Sequence, residues 1–253
     1  MAKKIIITGA AGCLGSLLAK HYAAEKCELI LVDRNQDALD ALASELAEAT
    51  KVVTLACDLG DEDSYVPLIK DAISGGVDVL INNAAFVGTS GLEGWAEDFE
   101  KQSTDAWRKA LEVNLVAPFR LCQLCASALR ESEDGNIVNI SSIYGLGGQI
   151  LDLYKGTEMK NPAAYGASKA GLIQLTRWMA TTLAPDVRVN AVSPGGIERG
   201  QPESFVDAYN ERTPLRRMAT EKDMLGAINY LAGETAGYVT GQNLVVDGGW
   251  SAW

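Results

Sequence analysis

Residues 3–25 read KKIIITGAAGCLGSLLAKHYAAE, and residues 28–33 read ELILVD. The first stretch opens with an isoleucine run that ends at Thr8, passes through three glycines and then takes the spacing of an amphipathic helix. The second stretch is another short, almost unbroken apolar run. This order predicts a buried strand, a tight glycine turn, a helix and a second parallel strand, which is the repeating unit of an α/β fold.

The glycines of this turn are spaced to hold a dinucleotide. They allow a tight turn and a close approach of a pyrophosphate to backbone amides at a helix N-terminus, where the helix dipole favours an anion. The sequence therefore predicts a cofactor-binding turn whose contacts come from Gly9, Gly12, Cys13, Leu14 and Gly15.

Asp33 closes the second strand, 18 residues after Gly15. A carboxylate at that place accepts hydrogen bonds from a ribose 2′-hydroxyl and repels a 2′-phosphate, so the sequence favours NAD over NADP. The neighbouring Arg34 leaves NADP open, because a basic side chain can accommodate that phosphate. Asp58 closes the third apolar run, where it either reaches the adenine ring or caps the next helix.

The rest of the chain repeats the same alternation of strand and helix. Further apolar runs typical of strands cover residues 51–57, 77–82, 136–141, 187–193 and 243–249, with amphipathic stretches between most of them and a long helical run over about 103–131. Strands that are apolar throughout are typical of a parallel sheet covered on both faces. We expect a doubly wound α/β fold formed by one domain, residues 1–253.

Composition narrows the class of protein. The net charge of −11 argues against nucleic-acid and anionic-membrane partners, and no apolar run is long enough to span a bilayer. Five cysteines without an export signal predict reduced thiols and a cytoplasmic location. Cys122 and Cys125 have CxxC spacing but no second ligand pair, so we expect a buried helix face and no metal site. His21 is the only histidine, which argues against a Ser-His-Asp triad.

Tyr165 and Lys169 stand four residues apart in a segment, residues 161–184, with helical periodicity. The two side chains therefore share a helix face. Lowering the pKa of a phenol from about 10 to about 7 takes roughly 4 kcal/mol. One ammonium at about 4 Å supplies about that much at an effective dielectric constant of ~20, so this spacing can give a tyrosine that exchanges protons near neutrality.

The chain resembles the short-chain dehydrogenase/reductase family of the compact, single-domain kind over its full length. The landmarks occur in the family's order: the glycine turn, Asp58, the NNAA run at 82–85, Asn114 in LEVNLVAPF, Ser142 in SSIYG, Tyr165 with Lys169, PGGI at 194–197 and VDGG at 246–249. The resemblance implies a Rossmann-type sheet of about seven strands with helices on both faces, assembled as a homodimer or homotetramer.

The resemblance also implies a reaction and its residues. An NAD(P)-dependent oxidoreductase would interconvert a secondary alcohol and a ketone, with Tyr165 as acid/base. Lys169 would lower the pKa of Tyr165 and hold the nicotinamide ribose, Ser142 would bind the substrate oxygen, and Asn114 would position a water that relays protons. Further cofactor contacts would come from Asp58, Leu59, Asn83, Ala84 and Ala85, and from Pro194, Gly195 and Ile197 beside the nicotinamide.

Four positions depart from the family's usual pattern. Cys13 stands where compact members have glycine, a spacing that resembles the family's longer epimerases and dehydratases, and Ala85 replaces a glycine. Arg199 follows PGGI where a threonine often contacts the cofactor. The separation of Ser142 from Tyr165 is longer than usual, which predicts a substrate flap at about 146–163.

The flap carries the strongest sequence signal for the substrate. The expected substrate is polar or anionic, such as a sugar or a sugar phosphate. It would be bound by Ser142, by Tyr154, Lys155 and Lys160 of the flap, and by Arg199 and Arg212 across the cleft; alternatively these charges are only solvated. The flap also resembles that of a bacterial branch linked to surface-sugar and flagellin-glycan synthesis. Two further functions stay open, an inactive NAD-binding sensor or scaffold and an epimerase or dehydratase that uses NAD transiently.

Overall fold

The computed structural model describes residues 2–87 and 90–253. Seven parallel strands form one sheet, in the order β3-β2-β1-β4-β5-β6-β7. The strands are β1 (Lys4–Thr8), β2 (Glu28–Asp33), β3 (Val52–Ala56), β4 (Val79–Asn82), β5 (Asn136–Ile140), β6 (Arg188–Pro194) and β7 (Asn243–Val246). The predicted doubly wound parallel sheet is confirmed.

Helices cover both faces of the sheet. They are α1 (Cys13–Ala24), α2 (Gln36–Leu46), α3 (Glu62–Ala72), α4 (Thr104–Leu111), α5 (Ala117–Glu131), α6 (Ala163–Leu183), α7 (Glu203–Arg212) and α8 (Glu221–Ala232). One core packs α1, α2 and α8 on one face, and a second packs α3, α5 and α6 on the other. Alternate β1 residues Ile5 and Ile7 enter the first core, and Ile6 enters the second.

Strand β1 lies between β2 and β4, so the chain reverses its direction of travel across the sheet beside β1. In open α/β sheets the loops at the carboxyl ends of the strands separate at such a point and leave a crevice for a ligand. The glycine turn (residues 9–15) follows β1 at this edge, and the loop that begins at Asn83 follows β4. The fold therefore brings the predicted cofactor residues to one edge of the sheet.

The helical run predicted over 103–131 is present, with an irregularity that its periodicity does not predict. Between α4 and α5 lies a π-helical turn, Glu112–Val116. A π turn shifts the side-chain register of a helix and often marks a functional site. Here it includes Asn114, which is fully buried. The thiols of Cys122 and Cys125 are buried on α5, as predicted.

The flap segment (residues 146–163) follows β5 and a short 3₁₀ turn, Ile143–Gly145. It contains a second 3₁₀ turn, Leu151–Tyr154, whose Leu153 is buried. Leu153 and Tyr154 pack with Phe205 and Tyr209 of α7 in a third apolar cluster, separate from the two cores. The flap segment thus packs against α7, which lies later in the chain.

Within the described residues, every helix is too short or too polar to cross a membrane.

Candidate active site

The glycine turn has the shape that a dinucleotide requires. Gly9 has φ +64°, and a Cβ there would lie 2.9 Å from the Cα of Ala84. A Cβ on Gly15 would overlap the carbonyl oxygen of Gly9. Only glycine therefore lets α1 begin this close to the turn. The helix begins at Cys13, its first turn has no acidic residue, and its first amides have no intrahelical partners.

Asp33 is held at the carboxyl end of β2, beside the glycine turn. Its carboxylate accepts hydrogen bonds from the backbone N–H of Ala11, at 3.0 Å, and of Asn35, at 3.1 Å. The Arg34 side chain beside it is exposed. A carboxylate hydrogen bonded to the glycine turn that precedes α1 fits the ribose of a dinucleotide whose pyrophosphate would lie on the α1 amides.

The loop after β4 is tied to the end of β1 through a residue that the sequence did not single out. The Thr8 hydroxyl accepts hydrogen bonds from the backbone N–H of Asn83 and of Ala84, both at 3.0 Å. In return, the amide of Asn83 donates to the carbonyls of Thr8 and Gly9. Thr8 carries no distinctive sequence signal, because its role depends on two strands that are adjacent only in the sheet.

Asp58 and Leu59 follow β3 at the same edge of the sheet. The carboxylate of Asp58 is exposed and accepts a hydrogen bond from Gly60 N–H at 2.8 Å. The N-cap of α3 is Asp61, whose side chain accepts from Asp63 N–H. The capping role considered for Asp58 is therefore filled by Asp61, while Leu59 is buried.

Ser142 and Tyr165 lie together at the carboxyl end of β5. Ser142 is the N-cap of the 3₁₀ turn Ile143–Gly145, and its hydroxyl accepts from Tyr144 N–H at 3.2 Å. Burial raises the pKa of Tyr165 above the usual 10.0, while a hydrogen bond with Ser142 and the charge of Arg199 oppose that rise. The lowering of the Tyr165 pKa that Lys169 was expected to cause is therefore not seen in this structure.

Lys169 is 2 % exposed, and its ammonium donates to the carbonyl oxygen of Ile140 at 2.7 Å. Its Nζ lies 5.9 Å from the centre of the Tyr165 ring. Burial lowers the pKa of Lys169 from 10.5 to about 8. Among the residues that the structure describes, Ile140 is its one hydrogen-bond acceptor, so two ammonium hydrogens are available to a ligand.

Asn114 connects the loop after β4 to α6. Its amide donates to the carbonyl of Phe86 and to the hydroxyl of Ser168, each at 3.1 Å, and its carbonyl accepts from Phe86 N–H at 2.7 Å. Ser168 in turn donates to the carbonyl of Tyr165 at 2.8 Å. Asn114 is thus buried beside the Tyr165–Lys169 turn of α6, and Ser168 was not identified from the sequence.

The PGGI run ends β6 and lies under α7. Gly196 N–H donates to the Tyr209 hydroxyl oxygen at 2.6 Å, and a Cβ on Gly196 would lie 2.8 Å from the Tyr209 ring. Both glycines are needed, since a Cβ on Gly195 would meet Asp247 at 2.9 Å. Pro194 is buried, and Ile197 pairs with Ala219. Gly196, next to the cofactor residues expected in this run, therefore also holds Tyr209 in place.

Aromatic side chains continue from Tyr165 across the top of the site. Tyr144 lies edge-on to Tyr165 with 6.4 Å between ring centres, and its hydroxyl is hydrogen bonded to that of Tyr154 at 2.6 Å. Tyr154 contacts Phe205, which contacts Tyr209, and Tyr209 stacks on Trp250 at 4.1 Å. The only sequence signal for Tyr144 was its place two residues after Ser142.

The predicted substrate cations each have a local partner. Lys155 pairs with Asp152 at 2.8 Å, and Lys160 pairs with Asp98 at 2.7 Å. Arg199 pairs with Glu221 at 2.8 Å, and Arg212 lies over the Trp250 ring at 5.1 Å. An open cavity of about 840 Å³ lies between the flap segment, residues 97–102 and the Gly166 face of α6. Lys155 and Lys160 line that cavity, but Tyr165 does not.

Comparison with known proteins places the chain in a family. A family model described as enoyl-(acyl carrier protein) reductase matches residues 9–251. The chain is 33% identical to a 7alpha-hydroxysteroid dehydrogenase of Bacteroides fragilis, over 98% of this chain and 93% of that protein. It is 29% identical to post-translational flagellin modification protein A of Campylobacter coli, over 98% of each.

Solved structures agree with these relatives. An NAD⁺-bound xylitol dehydrogenase matches with a TM-score of 0.86 at 26% identity, over 98% of each chain. A protein from Beutenbergia cavernae assigned as an NAD(P)-dependent gluconate 5-dehydrogenase, with NADP bound at low occupancy, matches with a TM-score of 0.87 at 31% identity, over 100% of this chain and 98% of that one. Together with the parallel sheet and the glycine turn, these matches show that the chain belongs to the short-chain dehydrogenase/reductase family of oxidoreductases.

Proposed function

We propose that the protein interconverts a secondary alcohol and a ketone by hydride transfer with NAD, on a polar substrate that carries several hydroxyl groups. The observation that carries this proposal is the meeting of Ser142, Tyr165 and Lys169 at the carboxyl end of β5, at the sheet edge that also bears the glycine turn. When bound, the nicotinamide accepts or supplies the hydride.

Tyr165 is the acid/base in this proposal. Because burial holds its pKa above the usual value, the phenol is protonated at neutral pH and can donate its proton to a ketone oxygen. Ser142 favours the phenolate that this transfer leaves, since its hydroxyl opposes the rise in the Tyr165 pKa. Lys169 offers its two remaining donors to the ribose, and Asn114 is a positioning residue that fixes the Ser168–Tyr165 turn.

The site supports NAD as the cofactor. Asp33 is an acceptor for ribose hydroxyls and disfavours a phosphate in that place, while its carboxylate is fixed by Ala11 and Asn35. The xylitol dehydrogenase structure holds NAD⁺, and the gluconate 5-dehydrogenase structure holds NADP, so NADP is the alternative to test.

A polar, largely uncharged substrate fits the groups around Tyr165 better than an anion. Three of the cations expected to bind an anion, Lys155, Lys160 and Arg199, have carboxylate partners. Tyrosine hydroxyls, by contrast, lie next to Tyr165. The matched xylitol dehydrogenase, named for an uncharged polyol, supports a polyol or carbohydrate substrate.

We also propose that residues 1–253 act as one catalytic domain that assembles into a homodimer or homotetramer in the cytoplasm. A single sheet carries both the glycine turn and Tyr165, which supports one domain. On the outer surface of α5 and α6, Phe119 and Trp178 pack 6.5 Å apart, and Trp178 is 53% exposed. An exposed apolar patch of this kind supports subunit contact, and the free cysteines fit a reducing compartment.

The direct test is an oxidoreductase screen of the purified protein. NAD⁺ and NADP⁺ are supplied with polyols, sugars and hydroxy acids, and formation of the reduced cofactor is followed by absorbance. We expect turnover with NAD⁺ and a polyol or sugar. Cofactor that copurifies but shows no net reduction with any alcohol would contradict the proposal and favour the transient NAD chemistry of an epimerase or dehydratase. Binding of cofactor without any turnover would favour an inactive sensor.

A further inference from the structure

The hydroxyl groups of Tyr144 and Tyr154, called here the tyrosine pair, lie 2.6 Å apart in the aromatic cluster beside Tyr165. Their positions are fixed from three directions. Tyr144 follows Ser142 by two residues and lies edge-on to Tyr165, while the ring of Tyr154 packs on Phe205 of α7 at 5.5 Å. The pair therefore links the end of β5, the flap segment and α7, and one of its rings contacts the Tyr165 ring.

One of the two O–H donors of the tyrosine pair is not used within the pair. Two tyrosine hydroxyls carry two O–H donors, and the bond between them uses one. Within residues 2–87 and 90–253, neither hydroxyl makes a second hydrogen bond. Both residues are partly exposed and line the open cavity of about 840 Å³, where the remaining O–H has access to a ligand.

The chemistry of the pair is that of a neutral donor. Burial is the main cause that raises the pKa of each hydroxyl above 10.0. Both stay protonated at neutral pH, and neither carries a charge. The cations nearest in the sequence, Lys155 and Lys160, are in ion pairs of their own. A substrate oxygen that meets the tyrosine pair is therefore bound by an O–H donor.

We propose that the tyrosine pair selects the substrate: its unshared O–H binds a second oxygen of the substrate while the reacting oxygen faces Tyr165. This inference rests on the proposed function, because it takes Tyr165 as the acid/base. It specifies that the substrate bears at least one further oxygen near the carbon that exchanges the hydride. Tyr154 lies on the flap segment, so the flap acts on specificity through a hydroxyl, and its lysines do not contribute.

A matched set of ring alcohols tests this inference. Cyclohexanol presents one hydroxyl, and the diols of cyclohexane, in every position and both relative configurations, add a second to the same ring. We expect the wild-type protein to oxidise its best diol with a kcat/KM at least about 10-fold above that for cyclohexanol. Tyr154→Phe should bring that ratio down by about 10-fold.

Further variants separate recognition from packing. Tyr144→Phe should lower the same ratio, and the double variant should be no worse than the poorer single one, because one hydrogen-bonded unit is removed in each case. Tyr238→Phe is the control, since Tyr238 is fully exposed. Up to about pH 10 the diol preference should not vary with pH, because neither hydroxyl of the pair ionises below that value.

The outcomes are distinguishable. A diol preference retained in both single variants overturns the inference, as does a parallel loss for cyclohexanol, which would show that the pair only packs the flap. Wild-type protein that oxidises cyclohexanol as well as every diol overturns the inference but leaves the proposed function standing. Absence of turnover with every alcohol overturns both.

Discussion

The glycine turn and the surroundings of Tyr165 are two sides of one site, but the first is formed mainly by backbone groups and the second by side chains. The glycine turn uses backbone amides, the absence of side chains at Gly9 and Gly15, and one carboxylate from the next strand. The Tyr165 side uses the side chains of Ser142, Lys169 and Tyr209, which come from three separate segments. The first side depends on short-range spacing, and the second depends on how distant elements pack.

This difference predicts that the two sides fail in different ways. A backbone site has little tolerance for an added atom, because the helix and turn are already in contact. A side-chain site tolerates conservative substitutions in packing but loses a specific hydroxyl or ammonium function. Substitutions on each side should therefore separate cofactor binding from turnover.

The largest effect is expected for Tyr165→Phe. The variant keeps the ring and its contact with Tyr144 but removes the hydroxyl that would exchange the proton. We expect kcat to fall by about 10²–10⁴-fold, the usual contribution of a general acid or base, while the dissociation constant for NAD changes by no more than a few-fold. Steady-state kinetics and cofactor fluorescence measure the two quantities. Activity close to that of a Tyr238→Phe control would refute the role of Tyr165.

Gly15→Ala should disrupt the glycine turn. The added Cβ would overlap the Gly9 carbonyl oxygen and lie 2.8 Å from the Ala10 Cα, so α1 must move away from the turn. We expect a loss of about 3 kcal/mol in the free energy of unfolding and a loss of NAD affinity. Gly226→Ala on α8 is the matched control, since a Cβ there meets nothing within 4 Å. Urea unfolding and calorimetric titration would show both effects; equal behaviour of the two variants would contradict the prediction.

The burial of Lys169 should make the free energy of unfolding depend on pH. Its pKa is about 8 in the folded protein and near 10.5 when unfolded, so both states bind the proton below pH 8. Between pH 8 and 10.5 the unfolded state binds more protons, and the free energy of unfolding rises with pH by up to about 3 kcal/mol relative to Lys169→Met. Unfolding at several pH values checks this, with Lys222→Met as the exposed control. A wild-type curve parallel to that of Lys169→Met would show that Lys169 is not buried as described.

The smallest effect is expected for Asp33→Ala, which alters the cofactor side without adding an atom. Loss of the carboxylate removes an acceptor for the ribose hydroxyls and a charge that disfavours a 2′-phosphate. We expect NAD affinity to fall by about 10-fold and NADP to bind nearly as well as NAD. Asp37→Ala on α2 is the control, because Asp37 is exposed and lies outside the turn. Unchanged discrimination in Asp33→Ala would move cofactor selection to Arg34.

The same contrast explains which parts of the site could be predicted. The strands follow from short, unbroken apolar runs, the helices from a period of 3.6 residues, and the glycine turn from glycine spacing, all of which are local properties. Gly9, Gly15 and Asp33 were found in this way, since one strand, one turn and one helix contain them. The partners of Tyr165 were identified by family resemblance, and only the folded chain gave their hydrogen bonds.

Three features had no usable local signal. Thr8 binds the loop after β4 because β1 and β4 are neighbours in the sheet, although 75 residues separate Thr8 from Asn83. The π turn at Asn114 depends on packing against Phe86 and Ser168. The pKa of Tyr165 was expected to fall because the sequence gives the spacing of Lys169 but not its burial or its bond to Ile140.

The order of residues along the chain was enough to predict a parallel α/β sheet, a turn suited to a dinucleotide after the first strand, and a Tyr-Lys pair on one face of a helix. These follow from the order of apolar residues and glycines along a chain whose local geometry has few choices. Only the tertiary structure decided that Lys155 and Lys160 pair with carboxylates and that Tyr144 meets Tyr154 beside Tyr165. The reason is physical: desolvation and hydrogen bonding act between groups that are close in space, and in this protein those groups come from β5, the flap segment and α7.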